Sequence, residues 1–114
     1  MEEMLHAYLV CALWSSTDES ETPLDINFTI ASIADESLKQ AGIDCMLFRV
    51  KYAQDLKEWS AEQAGHDFWL TRNRHGTGFW DRGKGAAGER LTQAAHTYRE
   101  LTPIIGDDGR IYFE

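Results

Sequence analysis

Only two prolines and two cysteines occur among the 114 residues of this chain. That leaves no material for a proline-rich linker or a multiple-disulfide framework. Cys11 and Cys45 each fall inside an amphipathic segment, and neither has the CxxC spacing of a metal or redox site, so both are read as buried, reduced thiols. The longest apolar run, near Ala7–Trp14, is far too short to cross a bilayer. No basic leader or cleavage site accompanies it, and an intracellular protein is expected. A GxSxG elbow, a P-loop, an HExxH motif and an activated cysteine are all missing, as is the GxGxxG fingerprint of a dinucleotide site. No cofactor is therefore expected, and no nucleophile stands out for an enzyme. Bases are scarce in the first part of the chain. Residues 1–44 hold nine acids and one base, Lys39, whereas residues 45–114 hold ten of each. The whole net charge of −8 belongs to the first 44 residues. Non-specific nucleic-acid binding by that part is disfavoured, because phosphate contacts need Lys and Arg.

What is present is enough for a packed fold. The chain is 43% hydrophobic, and a domain of this length buries about two-thirds of the surface its unfolded form exposes. With no repeat, no low-complexity tract and no linker, residues 1–114 read as a single domain. Leu5, Tyr8, Leu9, Ala12 and Leu13 recur at helical spacing and predict a helix over roughly Glu3–Ser15. The stretch Ser15–Asp25 reads as a loop. Ile30, Ile33, Ala34, Leu38 and Ala41 give a second stripe, with Gly42 as its stop. Asp44 then reads as the N-cap of a third helix carrying Cys45, Phe48, Tyr52, Leu56 and Trp59, ended by Ala64-Gly65.

From His66 the pattern changes. Phe68-Trp69-Leu70-Thr71 is aromatic and β-branched, Asn73–Thr77 supplies turn residues, and Gly78–Asp81 reads as a return strand, which together predict an aromatic hairpin over His66–Gly83. A last helix over Glu89–Leu101, turns at Pro103 and Asp107-Asp108-Gly109, and a terminal strand at Ile111–Phe113 complete the order ααα-ββ-α-β. The expected fold class is α+β, with three to four helices packed on a small, mainly antiparallel three-stranded sheet.

Three chemistries compete for the predicted hairpin. His66, Asp67, His75 and Asp81 are suitable ligand types for a divalent metal or an acid–base pair, but their spacing matches no metal motif, and the aspartates have arginine neighbours to pair with. Trp69, Arg72, Arg74 and Trp80 are the residue types that contact single-stranded nucleic acid through stacking and charge. Packing the helices uses the same aromatics, and the chain's overall charge opposes that binding. Gly76, Gly78 and Gly83 read as turn devices.

The acids cluster as well. Asp18, Glu19, Glu21 and Asp25 fall within eight residues of predicted loop, joined by Asp35 and Glu36 on the second helix. Such a run can be a solvated face, and DESETPLD lacks the register of a calcium loop. Carboxylates spread over a surface can also stand in for a phosphate backbone and occupy a Lys/Arg groove, with long-range attraction speeding the encounter.

The segment GHDFWLTRNRHGTGFWDRG resembles the core of small proteins encoded by tailed phages and prophages, GHDFWLTRN-x-HG-x-GFWDRG. The likeness extends to ALWSSTDESETPLD, the helix beginning at Ile30, and Leu91–Ala95. It implies context rather than catalytic roles: a phage accessory protein in a bacterial cytoplasm. Small acidic phage proteins include anti-CRISPR and anti-restriction inhibitors that imitate nucleic acid, so the resemblance implies a non-enzymatic inhibitor of host defence. The expected partner is a host protein or ribonucleoprotein complex with a basic nucleic-acid groove. The alternatives are a single-stranded nucleic-acid binder using residues 66–84 and a metal-dependent hydrolase.

Overall fold

The first helix, α1 (Glu3–Trp14), starts where the sequence places it, because the Glu2 side chain caps it by accepting from the Met4 and Leu5 amides at 3.0 and 2.9 Å. A computed structural model describes residues 1–114. After α1 come a one-turn helix α2 (Leu24–Asn27) and a 3-10 turn at Ile30–Ser32. Next are α3 (Asp35–Lys51), α4 (Ala61–Arg72), a second 3-10 turn at Phe79–Asp81, and α5 (Ala86–His96). The chain closes with strands β1 (Pro103–Ile105) and β2 (Ile111–Phe113). The fold is α+β. No helix is long and apolar enough to cross a membrane.

Helices α1 and α4 form the centre of the molecule. Met4, Ala7, Tyr8, Leu9, Cys11, Ala12 and Leu13 are all buried, so α1 is enclosed on most of its circumference. It crosses α4 at Gly65, where a Cβ would overlap the Met4 carbonyl oxygen and lie 2.9 Å from the Tyr8 nitrogen. Two backbones approach this closely only where the side chain is a hydrogen. Around the crossing, aromatic rings fill the core. Phe48 of α3 stacks on Phe68 at 4.2 Å and on Phe79 at 5.7 Å, and Tyr8 meets Trp69 edge-on at 5.2 Å.

The predicted hairpin does not exist. Phe68-Trp69-Leu70-Thr71 is the last part of α4, capped at its start by the Ser60 hydroxyl, which accepts from the Gln63 amide at 3.0 Å. The run from Asp67 to Arg72 is buried on every side, so it lacks the one-sided periodicity that would have marked a helix. Ala64-Gly65 is therefore the interior of a helix and not its end. Beyond α4, Arg74 takes a positive φ of 57°, and the chain folds back over the helix end with the Phe79 amide donating to Thr71 Oγ1 at 3.1 Å. Gly78–Asp81 is a 3-10 turn rather than a return strand.

Two other expectations change. The predicted second helix from Asp35 onward and the third as far as Lys51 are one helix, α3, which runs through Gly42 and carries Asp44 in its interior rather than at a cap; Ile30–Ser32 is a 3-10 turn, and Tyr52, Leu56 and Trp59 lie on turns beyond the helix. The sheet has two strands, not three. β1 pairs antiparallel with β2 in the register Pro103↔Phe113, Ile104↔Tyr112, Ile105↔Ile111. Pro103, read as a turn, begins β1, and α5 stops at His96, short of the expected Leu101. On its other side β2 meets only an isolated bridge at Ile33, where the Ala34 amide donates to the Ile111 carbonyl at 2.8 Å. The terminal strand at Ile111–Phe113 stands where the sequence placed it.

Candidate functional site

The motif that dominates the sequence, residues 65–83, is mostly an interior support. Asp67 is fully buried and saturated. It accepts from Trp59 Nε1 at 2.9 Å, from Gln63 Nε2 at 2.9 Å, and from Arg82 through Nε and Nη2, the latter at 2.6 Å. The Asp67 hydrogen bonds hold the Arg82 guanidinium above its ordinary pKa. Asp81 accepts from the Thr77 hydroxyl at 2.6 Å and from the Gly78 amide at 3.2 Å, so it caps the second 3-10 turn. Those bonds, the Thr77 hydroxyl foremost, hold its carboxyl below the ordinary range. His75 is exposed on the loop between α4 and that turn, while the His66 ring stacks on Trp14 at 5.4 Å and its Nε2 accepts from Trp14 Nε1 at 3.3 Å. No three His, Cys, Asp or Glu side chains come together to hold a metal ion. The four candidate ligands are thus dispersed, and three of them, His66, Asp67 and Asp81, are engaged in side-chain hydrogen bonds.

The four residues considered for stacking and charge divide equally. Trp69 and Arg72 are interior, at 1% and 3% exposure, and are withdrawn from any contact surface. Trp69 Nε1 donates to Ser15 Oγ at 3.1 Å. Arg74 and Trp80 are exposed, with Arg74 facing Glu100 at 3.6 Å. A nucleic-acid platform built from all four cannot form, because α4 turns Trp69 and Arg72 inward.

Arg72 is the hub of a cluster that sequence reasoning missed. Its Nη1 donates to Asp44 Oδ2 at 3.0 Å and to Tyr8 Oη at 3.1 Å, while Nε and Nη2 both donate to the Arg99 carbonyl. Gln40 Nε2 donates to the other Asp44 oxygen at 2.9 Å. The guanidinium also lies 5.2 Å from the Tyr98 ring and 5.8 Å from Phe68. Gln40, Asp44, Arg72, Tyr98 and Arg99 line a cleft of about 480 Å³, together with Ser37 and Thr97. Burial drives the Tyr8 pKa well upward, so its phenol stays protonated. With Asp44 neutralised by Arg72, the cluster holds α1, α3, α4 and the Arg99 segment together and offers no free base. Both thiols are free and buried, and burial pushes Cys11 up to about 12, which removes it as a nucleophile at neutral pH.

The acidic part behaves in the opposite way. Loop 17–23 is closed by a bridge between Thr17 and Pro23, with Asp18 at its centre accepting from the Ser20 and Thr22 amides at 2.8 and 3.0 Å. Asp18 and Glu19 form one wall of a cleft of about 750 Å³, whose other wall is Thr102–Ile105. Glu21 is exposed at a positive φ of 62°. Asp25, in the first turn of α2, borders a separate apolar hollow with Phe28 and Ile30. Asp35 and Glu36 are exposed in the first turn of α3, where carboxylates favour the helix dipole.

Ion pairing separates the two regions. Every pair involves Arg49, Arg72, Arg74, Arg82 or Arg90. From the first 44 residues only Glu2 and Asp44 take part, so Glu3 and all six candidate acids, Asp18 to Glu36, have no basic partner. Comparison with protein-family profiles, with curated proteins and with solved structures returns no match.

Proposed function

We propose that this chain is a non-enzymatic binding protein of the phage type, which inhibits a host nucleic-acid-handling defence system by presenting acids to a basic groove. The observation that carries the reading is the pairing pattern. Asp18, Glu19, Glu21, Asp25, Asp35 and Glu36 are without basic partners, and all but the half-buried Asp18 are exposed, whereas four of the six acids that contact arginine lie after residue 44. Unpaired surface carboxylates keep their charge available to a partner and give fast, salt-sensitive association with Lys/Arg surfaces. The loop that carries Asp18 and Glu19 is held by its own hydrogen bonds, so little ordering entropy is lost when it docks.

Plasmid interference in bacteria carrying a CRISPR or restriction system tests the proposal. Expression of the wild-type chain is expected to restore transformation. A variant with Asp18, Glu19, Glu21 and Asp25 each changed to Lys is expected to fail while keeping its overall fold: Glu19, Glu21 and Asp25 are exposed and move stability by only about 0.5 kcal/mol each, and losing the Asp18 bonds within loop 17–23 costs about 1 kcal/mol more. Equal protection by the wild type and the quadruple variant sinks the charge-mimicry reading.

A further inference from the structure

Strand β1 has one paired edge and one open edge. Thr102 exchanges main-chain bonds with Glu114, and Ile104 is paired with Tyr112 two residues on, so both turn toward β2. In an antiparallel ladder the residues between such bonded pairs turn their main-chain groups the other way. Pro103 and Ile105 are those residues. The Pro103 carbonyl and both the N–H and C=O of Ile105 therefore face away from β2, and no further strand meets them.

This open edge borders the cleft of about 750 Å³ whose opposite wall carries Asp18 and Glu19. Four consecutive residues of the β1 segment, Thr102 to Ile105, line it. Successive side chains of a strand point to opposite faces, so a cleft lined by an unbroken run follows the strand's edge rather than one of its faces. Across the cleft, the Ser20 and Thr22 amides both go to Asp18 Oδ1, which leaves Oδ2 unbonded. Glu19 is exposed, and no Lys or Arg lines the cleft.

These two walls select the occupant together. Unmade strand bonds are completed by an extended main chain, and facing carboxylates favour Lys or Arg on it. A second copy of this chain would bring acids to acids, and the phosphates of a nucleic acid are repelled by the same wall. We infer that the cleft takes an extended basic segment of a partner protein, which adds to β1 as a strand while its Lys or Arg side chains meet Asp18 and Glu19. The inference rests on the reading above in taking the partner's surface to be basic, and it names the kind of segment that surface presents.

The probe is a seven-residue capped peptide alternating Arg and Val, added to the nitrogen-15-labelled full chain in about 50 mM salt. Its binding is expected to shift the Ile105 amide resonance and to slow exchange of that amide about tenfold, while the Ile104 amide, already turned to β2, changes little. The fully N-methylated peptide keeps every charge but cannot pair as a strand, and it is expected to bind about tenfold more weakly. Ile105→Pro removes the outward donor at an edge position where proline is tolerated, and is expected to weaken binding of the unmethylated peptide similarly.

An Ile105 amide unmoved by about 2 mM of the Arg/Val peptide overturns the inference. So does equal binding of the N-methylated peptide, which would reduce the contact to charge alone, or equal binding of a Glu/Val peptide. The peptide comparison needs no altered protein, so it stands even where Ile105→Pro fails to fold. A chain that takes the peptide as a strand but gives no protection against plasmid interference refutes the defence reading alone. One that protects but ignores the peptide refutes strand addition alone.

Discussion

The stretch Asp18–Glu36 and the stretch Asp67–Arg82 are both rich in charge, and they use it in opposite ways. In the second, Asp67 is enclosed by Trp59, Gln63 and Arg82, and Arg72 is enclosed by Asp44, Tyr8 and the Arg99 carbonyl. Each of those groups would be very costly to bury alone and is tolerable only as part of its set. In the first, the carboxylates have no ion-pair partners, and apart from Asp18, which accepts the Ser20 and Thr22 amides, they stand in water, where their contribution to folding is close to nothing. Charge that is buried and saturated organises the protein. Charge that is exposed and unpaired is free to act on something else.

Isosteric neutralisation gives the largest expected break in this comparison. Asp67→Asn sets an amide donor against either Trp59 or Gln63, which meet different carboxylate oxygens, and leaves Arg82 without its carboxylate. A loss of about 3–5 kcal/mol is expected in urea denaturation at pH 7. Glu19→Gln or Glu21→Gln, the same chemical change in the acidic loop, is expected to move stability by less than about 0.5 kcal/mol. A similar cost at both sites would erase the distinction between the two regions.

Next in size is Gly65→Ala, which asks whether the motif is a support for α1. The added methyl overlaps the Met4 carbonyl, so α1 and α4 must separate. A loss of about 2–3 kcal/mol is expected by thermal or urea denaturation, despite alanine's better helix propensity. A stabilised variant would mean that the helices do not cross at this residue.

The smallest expected effect is on pH dependence. Burial, helped by the nearby Arg74 charge, holds His96 below its ordinary value of 6.5. The unfolded chain therefore binds the proton more readily, and the stabilising contribution is present above pH 6.5 and lost as pH falls through the folded value. Asp55 and Asp81 are held below 3.8, chiefly by hydrogen bonds from Arg90 and Thr77, and their contribution is lost only in stronger acid. The melting temperature is expected to be level above neutral pH, to decline slightly below 6.5 and to fall again below 3.8. His96→Gln is expected to flatten the upper step alone. An unchanged upper step would assign it to another group.

Part of this was legible in the residues. Helix α1 and strand β2 lie where their spacing and composition put them, because each shows its period plainly. The clustering of acids in the first 44 residues, and the arginines available to the acids after them, are also direct readings. The hairpin misled because aromatic, β-branched runs are as suitable for a helix buried on all sides as for a strand, and periodicity vanishes when every face is apolar. Gly42 and Gly65 misled for a related reason. A glycine signals a stop in an isolated helix, but packing carries α3 through Gly42, and at Gly65 the residue marks where α1 comes close.

The sequence by itself determined the α+β class, the concentration of net charge before residue 45 and the apolar content of α3. Only the tertiary structure decided which apolar face of α3 turns inward, Ala41–Cys45–Phe48 rather than Ile43–Met46–Leu47–Val50, since both have helical spacing. It also decided that Asp44 meets Arg72, 28 residues away, and that Trp69 lies inside while Trp80 lies outside. Composition and period are local properties of a chain. Burial and pairing are set by what packs against each residue, and those neighbours come from distant parts of the sequence.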